Sequence, residues 1–534
     1  MSGANGIPSS SAADPLRHAG TKRRLFFSFS AQSCSVVIRV AVQLLLVPIS
    51  LRGWGISLYQ DWILITSATG FLSILDLGMQ TYFANGLLAA WSRQDTRAYG
   101  RLLGTAAGLY SIILGVAAVS LAAAIILVPW SPVLGAKMMS PSSVTATIGL
   151  LSVASLILIP FGLLTAIYRA HGDYGLSTTS NAIAEAGRGA AISLVILAGG
   201  GPTAASAVYL VIAVVFGIVV VWDQGRRYGV VSFFPVMPTR PEFKEAISQS
   251  MRYLVAGLAT PILQNAPVLL LGQLSPISGA VVAFSVFRTL TGIARQIVAQ
   301  LSHAVGGELG RRHFCQDFQG TAVLMSHAGR LVSGSSGLLC GAVLAFSKPF
   351  LDVWTQGKVG YDPWLCAIFL LSILVTAPAQ VAYMVYLYTN RPNILVLVGG
   401  LQVLATVALC AVLVGPYSVI GAALACTAAD CLTVGLLLPL MAARSLDLRV
   451  LRYLRDCLAV ASLCLGLSAL VAFGLVRVLP VQGYFGIAAG GVLWAALLAG
   501  PAFRLLLTLP QRQWVFEQLH RIVVGLCSLQ RKRN

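Results

Sequence analysis

The chain has 534 residues, of which 57% are hydrophobic and only 10% charged, and its mean hydropathy is +0.83. Those values exclude a soluble domain with a polar surface and predict an all-α polytopic membrane protein. The net charge of +19 is not evidence of nucleic-acid binding, because in a polytopic chain the placement of the basic residues accounts for it.

Apolar runs of about 20 residues, each long enough to cross about 30 Å of hydrocarbon, recur almost end to end. They fall at 31–50, 59–80, 103–128, 145–168, 179–199, 204–222, 250–273, 279–302, 322–347, 364–388, 393–414, 417–441, 455–477 and 485–508, fourteen in all. The first contains Arg39 and ends in VPISLRG, without a small-x-small cleavage site, so it reads as a span and not a removable signal. With the amino terminus in the cytoplasm, 27 of the 36 Lys and Arg residues fall inside or at inner helix ends. Only Arg52, Lys137, Lys348, Lys358 and Arg477 fall outside, and Arg39, Arg188, Arg288 and Arg295 remain within spans. The positive-inside rule then places both termini in the cytoplasm, with an even helix count.

The polar stretch 222–252, with three prolines and mixed charge, reads as a cytoplasmic linker. Six spans precede it and six of the same orientation follow, which predicts two six-helix lobes around a central cavity plus two C-terminal helices. The expected division is an N-terminal tail over 1–30, an N-lobe over 31–222, a linker over 223–249, a C-lobe over 250–443, two additional spans over 444–508, and a basic cytoplasmic tail over 509–534. That tail ends in RKRN, which suits anionic lipids of the inner leaflet. Pro160, Pro261 and Pro378 mark expected bends or close packing.

Chemistry-bearing motifs are missing. The sequence has no G-x-x-x-x-G-K-[ST] phosphate loop, no H-E-x-x-H, no C-x-x-C and no G-x-S-x-G. Ten cysteines and six histidines are scattered without ligand spacing. The chain is therefore expected to be neither an enzyme nor a holder of a resident metal or cofactor.

Its candidate functional residues are the charges left in the spans: Arg39, Asp76, Glu185, Arg188, Arg288, Arg295 and Asp430. Each costs about 2.5–3.5 kcal/mol at a helix centre unless it faces the bundle interior or water. Arg288 and Arg295, seven residues apart, lie on one helix face. Arginine suits phosphate, since its planar fork donates two parallel hydrogen bonds and stays charged. Arg39, Arg288 and Arg295 are thus expected to hold an anionic head group, with Gln43, Gln264 and Asn265 as neutral donors to a sugar. The competing role is internal pairing with Asp76, Asp430 or helix carbonyls. Glu185 and Arg188, three apart, suit a local ion pair. Asp76, Glu185, Arg188 and Asp430 are the candidates for coupling to Na+ or H+.

Residues 44–95, with Val47 and Pro48, Trp54, and Asp76 to Gly78 as a DLG motif, resemble the polysaccharide transporter branch of the multidrug, oligosaccharidyl-lipid and polysaccharide exporter superfamily, the group containing O-antigen flippases. FRTLTGIARQIVAQLSHAVGGELGRR at 287–312 and FLDVWTQG at 350–357 are similar to other segments of that group. The resemblance implies movement of a polyprenyl-diphosphate-linked saccharide across a bacterial cytoplasmic (inner) membrane by ion-coupled alternating access, alongside membrane lipids and other polysaccharide-assembly membrane proteins. It also implies cationic cavity residues in helices 1, 2 and 8. Arg39, Arg288 and Arg295 fit helices 1 and 8, whereas helix 2 has no mid-span arginine. A multidrug or cation antiporter of the same fold is the nearest alternative, and a membrane polysaccharide polymerase or ligase a third.

Overall fold

A computed structural model describes residues 15–228, 236–389, 391–479, 483–506 and 512–513. Residues 1–14 of the expected N-terminal tail, 229–235 of the expected linker and nearly all of the basic tail lie outside the described residues.

The chain is a helical multi-pass membrane protein. In order the helices are α1 (Pro15–Gly70), α2 (Met79–Ser92), α3 (Thr96–Leu127), α4 (Trp130–Leu134), α5 (Pro141–Leu158), α6 (Phe161–Ala170), α7 (Tyr174–Leu197) and α8 (Pro202–Tyr228). They continue as α9 (Arg240–Leu274), α10 (Ala280–Phe314), α11 (Phe318–Trp354), α12 (Pro363–Tyr388), α13 (Pro392–Asp430), α14 (Leu438–Ser445), α15 (Val450–Val478) and α16 (Gly483–Leu506). Ten helical stretches among the described residues are long and apolar enough to span a membrane. They take in twelve of the fourteen expected runs, because Cys34–Asp76 and Asn393–Ser445 each hold two. The other two, 179–199 and 250–273, fall in α7 and α9.

Both double-length stretches break at one residue. In α1 it is Gly55, with φ 72° and ψ −178°, a backbone region open to glycine alone. In α13 it is Ser418, with φ 50°, two residues after Pro416. Pro160 separates α5 from α6 by a related route, since its ring leaves no amide for the helix ladder. The DLG motif is a turn. Leu77 and Gly78 both have positive φ, 50° and 72°, and Asp76 accepts from the Tyr110 hydroxyl at 2.7 Å and from the amides of Gly78 and Gln80. At the start of α9 the Glu242 carboxylate accepts from the Thr239 amide at 2.9 Å, which holds it below the usual carboxylate range.

The chain divides into two compact units. One comprises 1–53, 72–130 and 141–254, and its core gathers Met79, Phe83, Leu87, Leu109, Tyr110, Leu163 and Ile167. The other comprises 54–71, 131–140 and 255–534. Within it α12 is the innermost helix, with 67% of its apolar window buried, against 11% for α16. Residues such as Leu451 and Phe485, 84% and 88% exposed, are the surface that apolar helices turn to lipid.

The last two spans pack on α11, which runs along α15. A seam of small residues brings α11 that close: Gly329, Ser333, Gly337 and Gly341 recur every fourth position and so share one face. A Cβ at Gly337 would run into the Ala461 carbonyl, and one at Gly341 would lie 2.7 Å from Ser468. Ser468 in turn donates to the Leu338 carbonyl at 2.6 Å.

Candidate functional site

The first unit encloses a polar cavity of about 580 Å³. Its walls come from α1, the first residues of α2, α6 and α7. On α7 the polar residues Ser177, Asn181, Glu185 and Arg188 follow one another at steps of three and four, so they form one stripe that faces the hollow. Across from it α1 presents Arg39 and Gln43, one turn apart. The two helices approach closely because Gly189 leaves room for the Val42 side chain, which sets Arg39 and Gln43 at the level of Glu185 and Arg188. Gln80 lies over Gly162, and Thr165 and Arg169 of α6 complete the wall.

Three arginines, Arg39, Arg169 and Arg188, line this cavity against a single carboxylate, Glu185. Arg188 is engaged. It donates to Glu185 Oε2 at 2.5 Å and to the Tyr209 hydroxyl at 3.2 Å, and its guanidinium lies 5.3 Å from the Tyr209 ring centre. Arg39 reaches only Ser35 Oγ, at 3.5 Å, and forms no ion pair among the described residues. The Arg169 Nε is buried without a hydrogen-bond partner. The cavity lining thus carries an excess of two positive charges, and among the described residues neither Arg39 nor Arg169 forms an ion pair.

The second unit contains a separate polar cluster. Arg295 donates to Asp430 Oδ2 at 2.9 Å and to Ser372 Oγ at 2.7 Å, and Ser372 donates to the same carboxylate oxygen at 2.7 Å. The Gln402 amide donates to the other oxygen at 2.6 Å. Asp430 ends α13 where the ladder widens into a π-helical turn over Cys431–Leu437, a deviation frequent at functional positions. Nearby on α10, Arg288 donates to the Gln264 carbonyl at 2.7 Å and lies over the Phe284 ring, 5.2 Å from its centre.

No family model matches the chain, and no curated protein matches it. Solved structures do. The lipid II flippase MurJ in an inward closed conformation aligns with a TM-score of 0.67 at 12% identity, over 90% of this chain and 99% of that one. An inward-facing multidrug resistance MATE family transporter of the MOP superfamily aligns with a TM-score of 0.65 at 11% identity, over 77% and 98%. A MATE in the bent conformation aligns with 0.51 at 12%, over 82% and 99%. The chain has the MATE and MurJ type of fold.

Within that fold the expected site residues separate into groups. Arg39, Gln43, Glu185 and Arg188 share the cavity of the first unit. Glu185 and Arg188 form the ion pair that their spacing permits. Arg288 and Arg295 belong to the second unit, and each is bound, to a helix carbonyl and to Asp430. Gln264 contributes its carbonyl, while the Asn265 amide folds back to the Pro261 carbonyl at 2.8 Å. Asp76 is held in the turn described above. Arg169, Asn181, Gln80, Ser372 and Gln402 are the polar partners that sequence reasoning passed over. Asn181 was accessible, since it continues the Glu185–Arg188 face by one turn. Asp61 was also passed over: it is 1% exposed and accepts the amides of Lys137, Met138 and Met139 at 3.1, 2.9 and 2.9 Å.

Proposed function

We propose that the chain is a flippase that moves a lipid-linked saccharide, an O-antigen or related polysaccharide precursor with a diphosphate head, across the bacterial cytoplasmic membrane. The observation that carries this reading is the cavity with Arg39, Arg169 and Arg188 opposite one carboxylate. A charged, sugar-bearing head group cannot enter hydrocarbon unaided. In the proposal it enters this polar hollow, its phosphates are held by Arg39 and Arg169, and Gln43, Gln80 and Asn181 offer neutral hydrogen bonds to the sugar. The polyprenyl tail stays in lipid.

Coupling in this reading uses Glu185. While it is ionised it occupies Arg188 at 2.5 Å. An anion that competes for that guanidinium links substrate binding to the charge state of Glu185. Arg295 and Asp430 serve as the internal charge pair of the second unit. The termini are proposed to be cytoplasmic on the positive-inside rule, with membrane lipids and other polysaccharide-assembly proteins as neighbours.

The deciding experiment is deletion followed by leaflet-resolved labelling of the lipid-linked glycan. The proposal expects it to accumulate on the inner face. Drug hypersensitivity with intact surface polysaccharide would assign the chain to multidrug export instead, and a change in glycan length in liposomes holding the purified protein would assign it to polymerisation.

A further inference from the structure

Besides its cluster around Asp430, the second unit has a hollow of about 390 Å³ between the first turns of α15 and the early part of α11. Arg330, Arg449 and Arg452 converge on it. None of the three forms an ion pair among the described residues. Two carboxylates, Asp447 and Asp456, also line the hollow, but Asp456 already pairs with Arg455 at 3.1 Å. Tyr453, at the base, spends its hydroxyl on the Pro378 carbonyl at 2.8 Å. Arg449 stands at the start of α15, whose first amides have no side-chain cap and add positive partial charge.

This basic hollow opens at the end of a membrane helix. Four arginines, Arg444, Arg449, Arg452 and Arg455, cluster at that end of α15, against Arg477 at the other, which assigns it to the cytoplasmic leaflet. Along α15 from the hollow, Leu463 and Leu470, 57% and 74% exposed, lie fourteen residues after Arg449 and eighteen after Arg452, so they extend the face of those two arginines as an apolar track. Solvated positive-inside residues need no cavity and no adjoining apolar track. A phosphate carried on acyl chains needs both.

We propose that this hollow is a binding site for the phosphate head of an anionic phospholipid of that leaflet, with Arg330, Arg449 and Arg452 as its ligands and the exposed face of α15 as the bed of one acyl chain. The site is independent of the transported substrate. It clamps α15 to α11 at the end where the small-residue seam begins.

The test uses the full-length protein, delipidated in a neutral detergent, with the thermal midpoint followed as dioleoylphosphatidylglycerol, dioleoylphosphatidylcholine or inorganic phosphate is added. Phosphatidylglycerol is expected to stabilise and phosphatidylcholine not. Arg330→Gln and Arg452→Gln should each weaken the apparent affinity about fivefold, and the double variant about 25-fold, at about one such factor per arginine near a membrane surface. Arg97→Gln, an exposed arginine of the other unit, should leave it unchanged. An equal response to phosphatidylcholine, or an undiminished response of the double variant, overturns the site. Stabilisation by inorganic phosphate to the same extent assigns it to a free anion and overturns the lipid. If the variants do not fold, a photoreactive phosphatidylglycerol on the wild-type chain decides: labelling within 326–330 or 447–457 supports the site, and labelling confined elsewhere overturns it.

Discussion

Arg295 and Asp430, 135 residues apart in the chain, meet at 2.9 Å on α10 and the end of α13. The carboxylate side chain is 11% exposed and the guanidinium 43%, so the pair joins an almost buried acid to a half-open base. Ser372 bonds both partners, and Gln402 holds the free oxygen of the acid. Both carboxylate oxygens are therefore engaged.

This geometry predicts an asymmetry between single and double substitutions. Arg295→Ala leaves a desolvated carboxylate with only two neutral donors, and is expected to lower stability by about 2 kcal/mol, less than breaking a fully buried pair costs because the arginine is partly open to solvent. Removing both charges, as in Arg295→Gln with Asp430→Asn, removes the unpaired charge and should recover most of that loss. Thermal midpoints in detergent measure it. A double variant as unstable as the sum of the singles would mean the two residues act independently.

A different pattern is expected in the first unit, where Arg39 has only a 3.5 Å contact to Ser35. Arg39→Ala should leave the amount of protein in the membrane unchanged while cutting saccharide export more than tenfold, since one charge-assisted pair to phosphate contributes on that order. Arg39→Lys should restore part of it, as a point charge without the bidentate fork. Unaltered export in Arg39→Ala would remove this residue from the substrate path.

Glu185 bears on coupling. With Glu185→Gln the 2.5 Å ion pair to Arg188 becomes a neutral hydrogen bond, and Arg188 is available at any pH. Transport by the reconstituted variant is then expected to lose its response to an imposed pH gradient while retaining substrate binding. A wild-type response to Na+ alone, or an E185Q protein still driven by the pH gradient, would place coupling elsewhere.

How much of this was legible in sequence follows from the range of each interaction. A span declares itself in about 20 consecutive residues, so the expected runs fall on helical segments, although 59–80 runs on through the DLG turn and 145–168 through the break at Pro160. The breaks at Gly55 and Ser418 did not, because helix continues on both sides and only a single φ changes. The α7 stripe was half legible. Glu185 and Arg188 stand out as charges, whereas Ser177 and Asn181 show their role only through spacing. Arg169 looked like an ordinary inner-end arginine, and its buried Nε depends on α2 and α7 packing around it. Pairing between Arg295 and Asp430 had been only one of several options, since nothing local links positions so far apart.

Asp61 predicts a local effect. It accepts three consecutive amides, of Lys137, Met138 and Met139, and so organises the turn before α5. Asp61→Asn keeps one acceptor oxygen and loses the charge assistance. Stability should fall by about 1–3 kcal/mol, and trypsin should cut at Lys137 faster than in the wild-type protein. Unchanged cleavage there would show that the turn holds its shape without the carboxylate.

The seam between α11 and α15 gives a matched pair of glycine substitutions. At Gly337 a methyl group meets the Ala461 backbone, which cannot rotate away. Gly337→Ala must therefore push the helices apart or strain them, and is expected to cost about 1–3 kcal/mol. Gly466 lies within α15 with nothing within 4 Å of its Cβ position. There alanine removes unfolded-state freedom without a clash, so Gly466→Ala should be neutral or stabilise by up to about 1 kcal/mol. Both changes add the same methyl to a helix interior, so propensity alone would make both favourable. Thermal midpoints that move in opposite directions would identify close helix approach as the force holding the last two spans. Midpoints that rise together would show that α15 has room to move and that the seam contributes little.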